Sequence, residues 1–129
     1  MARILLAEDN ALNRRLYRDI LTSDGHEVVA VGDGAAALEA FSEMTPDLVL
    51  LDLQLPICSG HMVVRAIRDD PDLRHLPVVA VSAFATREDK ERALENGFTD
   101  FIAKPAPVDD VLKTVTILLD QGVNRKAAS

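Results

Sequence analysis

Five short apolar runs alternate along this chain with longer stretches whose apolar residues recur at a helical period. The runs cover residues 4–7, 28–31, 48–51, 78–81 and 101–103. Such alternation is typical of an α/β fold with a parallel sheet, because each helix carries the chain back to begin the next strand in the same direction. The first, third and fourth runs are almost continuously apolar, which predicts strands covered on both faces. The sequence therefore predicts a doubly wound sheet of five strands.

The helices are predicted from stripes of apolar residues at a period of 3.6. The stripes comprise Leu12, Leu16 and Ile20; Leu38, Phe41 and Met44; Val63 and Ile67; and Val108, Val111, Leu112, Val115, Leu118 and Leu119. We expect the first helix to end near Gly25, the second before Pro46 and the third at Asp70, which precedes a proline.

The fourth helix is predicted to carry little apolar surface. Thr86 and Asp89 fit a capping box, and Gly97 fits the position after the last turn. The first seven residues from Thr86 onward are all polar, which leaves Ala93 and Leu94 as the main expected core contacts. Weak docking of this kind indicates a movable element or a partner-binding face, although a plain solvated helix fits the pattern equally well.

The length and composition fit one globular domain. The chain has 129 residues, 48% hydrophobic and 27% charged, and we expect the domain at residues 1–120 and a flexible tail at 121–129. No apolar run reaches the ~18 residues of a membrane span, and the first residues lack the apolar segment of a signal peptide. A single cysteine, Cys58, indicates a reducing compartment, and we expect the cytoplasm. The net charge of −7 argues against nucleic-acid binding and leaves proteins or small ions as expected partners.

Polar residues follow the predicted strands, at the edge where doubly wound sheets bind ligands. They are Glu8, Asp9, Asp52, Ser82 and Lys104. Three neighbouring carboxylates repel one another unless a cation intervenes, and Mg²⁺ is a hard cation that takes such oxygen ligands. The charges balance, because the carboxylates contribute −3 while Mg²⁺ and the lysine contribute +3. A neutral, oxygen-rich pocket of this kind suits an incoming phosphoryl group.

An aspartate carboxylate can itself accept a phosphoryl group, which gives each of these residues a hypothetical role. Asp52 attacks phosphorus, Asp9 ligates the metal, and Glu8 holds the metal directly or through water. Lys104 offsets charge on the phosphoryl oxygens, and the Ser82 hydroxyl forms a hydrogen bond with one of them. Each residue alone has a plainer explanation, because Asp9 and Ser82 also fit turn formers or helix caps and Lys104 fits a surface lysine. The five together favour the phosphoacceptor interpretation.

At these residues the sequence resembles the receiver domains of bacterial two-component systems. The resemblance spans residues 3–119, and its motifs lie at 4–10, 47–52 with Pro56 and Gly60, 81–83 and 104–105. Asn13 and the stretch 77–85 look like those of DivK-type single-domain response regulators and of the receivers of hybrid kinases. The resemblance implies a flavodoxin-like fold with the strand order 2-1-3-4-5.

The resemblance also implies how the site works. A phosphohistidine on a sensor kinase or phosphotransfer protein donates its phosphoryl group to Asp52. Mg²⁺, for which Mn²⁺ is an expected substitute, is bound by Asp9, Asp52, the main-chain carbonyl of Gln54 and waters. Ser82 takes the switch hydroxyl position and Phe101 the aromatic switch position, although Phe101 also fits a plain core residue.

Further family properties concern the lysine and the donor. The resemblance implies that the bond between Lys104 and Pro105 is cis, a geometry that is essentially confined to bonds before proline. Small donors such as acetyl phosphate are expected to serve as well. We expect a phosphoacceptor switch with self-phosphorylation and self-dephosphorylation rather than an enzyme.

Two partner surfaces are expected. With no output domain in the sequence, the signal is expected to pass to an effector protein or a second copy through the fourth helix, fifth strand and fifth helix. The protein is then a monomer or a phosphorylation-dependent dimer. The kinase or phosphotransfer partner is expected on the first helix, near Asn10, Asn13, Arg14 and Tyr17. An ordinary polar surface explains those residues equally well.

Other residues that could carry chemistry are interpreted as structural. Cys58 has no cationic neighbour in sequence that would activate its thiol, so we expect it to be inert. The histidines lack a metal-ligand spacing and are expected at the surface; they are His26, His61 and His75. The glycine-containing segment 32–34 is predicted to form a turn and a helix cap.

Three rival functions fit less well. A hydrolase of the haloacid-dehalogenase type needs a second acid two positions after the nucleophile, where this chain has Gln54, and it needs cap elements that a short chain lacks. A receiver-like interaction module that is never phosphorylated is disfavoured, because all five site residues are present. A flavodoxin is disfavoured because no flavin-phosphate loop follows the first strand.

Overall fold

The computed structural model describes residues 2–128, with side chains described as far as residue 121. Within residues 2–128, five strands alternate with five helices, as the apolar runs predict. Their bounds are β1 Arg3–Ala7, α1 Ala11–Ser23, β2 Glu27–Val31, α2 Gly34–Ala40, β3 Leu48–Asp52, α3 Gly60–Asp69, β4 Val78–Ser82, α4 Arg87–Glu95, β5 Asp100–Ala103 and α5 Val108–Ala128. All neighbouring strands are parallel, and their order β2-β1-β3-β4-β5 confirms the doubly wound, flavodoxin-like fold.

The three central strands are buried, as their apolar sequences predict. All of β3 and β4 is buried, as is β1 after Arg3, whereas the edge strands β2 and β5 are only partly covered. Successive side chains of a strand point to opposite faces. Ile4 and Leu50 therefore pack with α1 and α5, whereas Leu5 and Val49 pack with α2, α3 and α4. These two core layers hold all the carboxyl ends of the strands at one edge of the sheet.

The predicted core face of α1 is wrong. Leu12 and Leu16 are 76% and 47% exposed and Ile20 is half-buried, while Tyr17 and Leu21 are buried against the sheet. Two stripes with a spacing of four residues run side by side along this helix, and periodicity alone does not tell which of them faces inward. Tyr17 therefore belongs to the core, and an apolar stripe remains outside.

α2 is shorter than predicted and buries small residues. It ends at Ala40, well before Pro46, and Ala37 and Ala40 face the core. Leu38, which was expected inside, is 36% exposed, and Phe41 packs at the margin of the core. The small side chains let α2 lie close to the sheet, which leaves the larger predicted residues at its flanks.

α3 and α5 match their predictions. Val63 and Ile67 are buried, and α3 ends at Asp69 with Asp70 as its C-cap, directly before Pro71. In α5 the buried positions are Val111, Val115 and Leu118. The backbone of α5 continues to Ala128, but the side chains of 122–129 lie outside the described residues, so the flexible tail stays a prediction. Among the helices of residues 2–128, none combines the length and the apolar character that crossing a bilayer requires.

α4 has one buried residue and is held mainly at its ends. The predicted capping box between Thr86 and Asp89 is present, and Gly97 has a φ of 110°, as expected after the last turn. Ala93 is buried as predicted, but Leu94 is 52% exposed, so its predicted core contact is wrong. The apolar attachment of this helix is therefore even smaller than its sequence indicates.

Arg68 of α3 fastens the C-terminal end of α4. Its guanidinium donates to the Gly97 carbonyl at 2.8 Å and to the carbonyls of Arg74 and Leu76 at 2.8 and 2.7 Å. Hydrogen bonds from a charged donor are stronger than neutral ones. One side chain thereby joins α3, the loop before β4 and the turn after α4.

Gly34 lets α2 begin against the loop that follows β3. Its N–H donates to the Pro56 carbonyl at 3.3 Å, and a Cβ at Gly34 would overlap the main-chain carbonyl of Cys58. Asp33 caps the helix as predicted, because its side chain accepts from the Ala36 N–H at 2.7 Å. The contact between two backbones therefore admits only glycine at this position.

We expect Gly34→Ala to lower the free energy of unfolding by about 2–4 kcal/mol, because the backbone must shift to admit the methyl group. Gly32→Ala is the matched control, since a Cβ there meets only the end of the flexible Arg14 side chain. Urea unfolding measures both variants. Equal unfolding midpoints would contradict the close backbone contact.

Candidate functional site

The ends of four strands bring the predicted site residues together. Glu8 follows β1, Asp52 ends β3 and Ser82 ends β4. Lys104 follows β5, and its N–H donates to the Ser82 carbonyl at 2.8 Å. These ends lie at one edge because the sheet is parallel, so residues that are distant in sequence share one pocket.

Lys104 binds two buried carboxylates in this pocket. Its Nζ donates to both oxygens of Glu8 at 2.9 Å and to Asp52 Oδ2 at 2.8 Å. Glu8 and Asp52 are 1% and 2% exposed, and the Lys104 side chain is 16% exposed. Buried charges are stable only when paired in good geometry, which these short contacts provide. One ammonium against two carboxylates still leaves the pocket with excess negative charge.

The pocket changes the acid–base behaviour of Glu8 and Lys104. Burial, with further contributions from the neighbouring Asp52, raises the pKa of Glu8 to about 7, although Lys104 opposes the rise. Burial acts to lower the pKa of Lys104, but its hydrogen bonds to Asp52 and Glu8 outweigh burial and raise that pKa. The lysine therefore stays charged at neutral pH, whereas the Glu8 carboxyl exchanges a proton there.

Asp9 completes an acidic cluster with Glu8 and Asp52. One carboxylate oxygen of each residue lies within 4.8 Å of the others, and Asp9 is exposed while the other two residues are buried. Mg²⁺ takes a few carboxylate oxygens and keeps several waters, which a pocket open on the Asp9 side permits. The donor set and the excess negative charge therefore fit a divalent metal ion.

The loop between β1 and α1 is braced by residues that the sequence analysis placed on a docking surface. Arg14 Nη1 donates to the Glu8 carbonyl at 2.9 Å, and Asn13 Nδ2 lies 3.4 Å from Glu8 Oε1. The Asn10 side chain caps α1 by accepting from the Asn13 N–H at 2.9 Å. The position of these residues at the start of α1 could have indicated this role, because side chains in the first turn of a helix can reach back over the loop that precedes it. These contacts orient Glu8 and fix the loop that carries Asp9.

The Ser82 hydroxyl is held by the loop after β3. Ser82 is buried, and its Oγ–H donates to Gln54 Oε1 at 3.0 Å. The same hydroxyl oxygen accepts from the Phe84 N–H at 3.0 Å, and the Gln54 N–H donates to Asp52 Oδ1 at 2.8 Å. The family resemblance implies a role for Gln54 only through its main-chain carbonyl, and that role as a metal ligand stays a prediction. Its side-chain contact was missed, because no local pattern gives the direction of a loop side chain.

Phe101 and the bond after Lys104 lie where the resemblance places them. Phe101 is half-buried on β5 and packs against the core layer of α2, α3 and α4. The bond between Lys104 and Pro105 is cis, as predicted. The aromatic switch role of Phe101 stays a prediction.

The prediction of three surface histidines is wrong for two of them. The His26 side chain is 11% exposed, and its Nδ1 accepts from the Ala2 N–H at 3.3 Å. His61 is half-buried and packs edge-on against the Phe98 ring, and burial lowers the pKa of His61. His75 is exposed as predicted. These two partly covered rings therefore contribute contacts within the fold.

Known proteins resemble this chain over most of its length. Residues 4–116 match the model of the response regulator receiver domain, and the chain belongs to that family. The chain is 41% identical over 112 residues to the polar-differentiation response regulator DivK of Brucella anthropi, with 87% of this chain and 91% of the relative covered. DivK of Brucella ovis matches with the same identity and coverage. The predicted family and the DivK-type resemblance are thereby confirmed.

Solved receiver domains have the same fold. The receiver domain of a signal transduction histidine kinase from Syntrophus aciditrophicus is 30% identical, with a TM-score of 0.87 and coverage of 94% of this chain and 92% of that one. The receiver domain of a sensor histidine kinase from Pseudomonas aeruginosa is 31% identical, with a TM-score of 0.85 and coverage of 92% and 98%. That second structure has a magnesium ion coordinated in its active-site cleft.

We expect Lys104→Met to lower the free energy of unfolding by about 3–5 kcal/mol at pH 8 without divalent ions, because Glu8 and Asp52 stay buried without their cation. The loss should shrink at pH 5.5, where one of the two carboxylates takes up a proton. Urea unfolding at both pH values measures the effect. Lys113→Met, at an exposed position of α5, is the control. A pH-independent loss would show that packing rather than charge is responsible.

We expect the affinity for Mg²⁺ to rise about tenfold between pH 6 and pH 8, because the metal competes with a proton on Glu8, whose pKa is about 7. The sign follows from the raised pKa, since below it the carboxyl is protonated and gives up its proton when the metal binds. Isothermal titration calorimetry in buffers of different ionisation enthalpy measures both affinity and proton release. Glu8→Gln should remove the pH dependence of the affinity. If the affinity of that variant still rises with pH, a group other than Glu8 is responsible.

Proposed function

We propose that this receiver domain is a phosphoacceptor switch. Asp52 takes a phosphoryl group from the phosphohistidine of a sensor kinase or phosphotransfer protein, with Mg²⁺ bound, and the adduct changes protein–protein contacts. The observation that carries this proposal is the contact of Lys104 Nζ with Glu8 and Asp52 beside Asp9. That arrangement supplies a carboxylate nucleophile, a fixed cation and a set of metal-binding oxygens in one pocket.

The transfer step requires positioning and charge neutralisation more than a general base. A carboxylate oxygen of Asp52 attacks phosphorus, a P–O bond forms, and the P–N bond breaks with its electron pair returning to the imidazole ring. Lys104, which is already 2.8 Å from Asp52, keeps its positive charge beside the arriving phosphoryl oxygens. Mg²⁺, or Mn²⁺ in its place, supplies further positive charge when bound. The proposed ligands are Asp9, Asp52 and the main-chain carbonyl of Gln54, with Glu8 bound directly or through water.

The adduct adds roughly −1.5 to −2 units of charge and new acceptor oxygens at the pocket. We propose that the Ser82 hydroxyl moves toward these oxygens and that Phe101 follows into the vacated space. The output surface is then α4, β5 and α5, where Leu94 and Ile117 are 52% and 50% exposed. The small apolar attachment of α4 supports this choice, because little core packing opposes its displacement. The partner is an effector protein or a second copy that pairs after phosphorylation.

We propose that the donor docks on α1, the helix predicted from sequence, but mainly through apolar residues of that helix. Tyr17 is buried, whereas Leu12 and Leu16 leave an apolar stripe on the outside of α1. Ile57, in the loop after β3, is 82% exposed and has a positive φ of 71°, which is strained for a β-branched residue. These apolar groups lie on elements that flank the pocket. They support docking of the phosphohistidine donor through apolar contacts rather than through the polar residues of α1.

The proposed setting follows from the same features. A histidine kinase partner and the single free cysteine, Cys58, support the cytoplasm. The net charge of −7 supports protein partners rather than nucleic acid. We also propose that small donors such as acetyl phosphate phosphorylate Asp52 and that the domain dephosphorylates itself, as a phosphoacceptor switch rather than an enzyme.

We expect acetyl phosphate and Mg²⁺ to add one phosphoryl group to the wild type and none to Asp52→Asn, because the amide is not a nucleophile. Intact-mass spectrometry measures the adduct, and chelation of the metal should abolish it. Asp69→Asn, at an exposed position of α3, is the matched control and should be labelled normally. Equal labelling of Asp52→Asn would place the acceptor elsewhere. A wild type that never forms an adduct, with a partner bound equally by both proteins, would favour the passive interaction module.

A further inference from the structure

The hydroxyl of Ser82 already donates one hydrogen bond and accepts another. It donates to Gln54 Oε1 at 3.0 Å and accepts from the Phe84 N–H at 3.0 Å. A serine hydroxyl has a single hydrogen to donate. While that hydrogen points to Gln54, it is not available to a phosphoryl oxygen on Asp52. The two acceptors therefore compete for one donor.

Gln54 contacts both Asp52, which would carry the phosphoryl group, and Ser82, which would bind it. Its main-chain N–H donates to Asp52 Oδ1 at 2.8 Å, while its side chain accepts from Ser82. Ser82 is 0% exposed in this state, so its hydroxyl hydrogen is bonded to Gln54 and not to solvent. Gln54 therefore contacts both the carboxylate of Asp52 and the hydroxyl of Ser82.

The Gln54 side chain has space to leave Ser82. Gln54 is exposed, and it lines a cleft of about 330 Å³ together with Phe84, Asp89 and Arg92. An amide that turns into this cleft meets polar side chains and solvent, so its hydrogen-bonding groups stay satisfied. Release of the hydroxyl therefore requires a side-chain rotation and no rearrangement of the core.

We propose that the Gln54 side chain is a positioning residue that holds the Ser82 hydroxyl away from the phosphoryl site and so lowers the affinity of the pocket for a phosphoryl group. This inference rests on the proposed function. A neutral hydrogen bond shifts a two-state equilibrium by about three- to tenfold. A bond to a charged phosphoryl oxygen is stronger, so the bond to Gln54 biases the switch without blocking it.

The test uses Gln54→Met, which keeps the main-chain carbonyl and most of the side-chain length but lacks the acceptor oxygen. The probe is beryllofluoride with saturating Mg²⁺, and calorimetry or ¹⁹F NMR measures its dissociation constant. We expect about three- to tenfold tighter binding by Gln54→Met than by the wild type. Because beryllofluoride is not hydrolysed by the site, an altered phosphoryl lifetime does not affect this measurement. Gln54→Leu is a second variant with the same expected result.

Ser82→Ala is the control that distinguishes an effect of Gln54 on the Ser82 hydroxyl from an effect of side-chain size on access to the pocket. Without the hydroxyl, Gln54→Met has nothing to release, so the double variant and Ser82→Ala should bind beryllofluoride within about twofold of each other. An undiminished gain in the Ser82→Ala background would overturn the proposal and assign the effect to crowding at the pocket. Equal binding by the wild type and Gln54→Met would overturn the positioning role of Gln54 but leave the phosphoacceptor function intact. A wild type that does not bind beryllofluoride would overturn it together with the phosphoacceptor function.

Discussion

The contact of one lysine with two buried carboxylates is the interaction on which the site depends. Desolvating these charges costs several kcal/mol for each ion, so the ammonium and carboxylates must be held at short range by the surrounding fold. The fold does so by fixing the carboxyl ends of β1, β3 and β5 at one edge, between two apolar core layers. Lys104 reaches Glu8 across 96 positions of sequence, which no local structure could arrange.

Much of this architecture could be predicted because it follows from long-range rules. Buried strands of a parallel sheet have continuous apolar sequences, and their polar terminal residues must converge, which gave Asp52, Ser82 and Lys104 without any contact information. The orientation of α1 could not be predicted in this way. Its sequence carries two neighbouring apolar stripes, and only the shape of the sheet surface decides that Tyr17 rather than Leu16 packs inside.

The side-chain contacts within the site were also beyond sequence reasoning. Gln54 lies two residues after Asp52 in a loop, where neither periodicity nor capping chemistry constrains a rotamer. Its contact with Ser82 exists because the loop after β3 passes over the end of β4. Arg14 was misplaced for a similar reason, since a charged residue on a helix was expected to face water. It instead closes the loop of Glu8 by binding a main-chain carbonyl.

The attachment of α4 by its ends has a consequence for how related proteins diverge. Because its capping box and the Arg68 contacts hold the helix at its ends, the polar residues along its length do not pack in the core. Exchanging charges on that face alters the local electrostatic potential with little effect on the folding free energy. The charges on this helix can therefore change from one relative to another without disturbing the buried contacts at the strand ends.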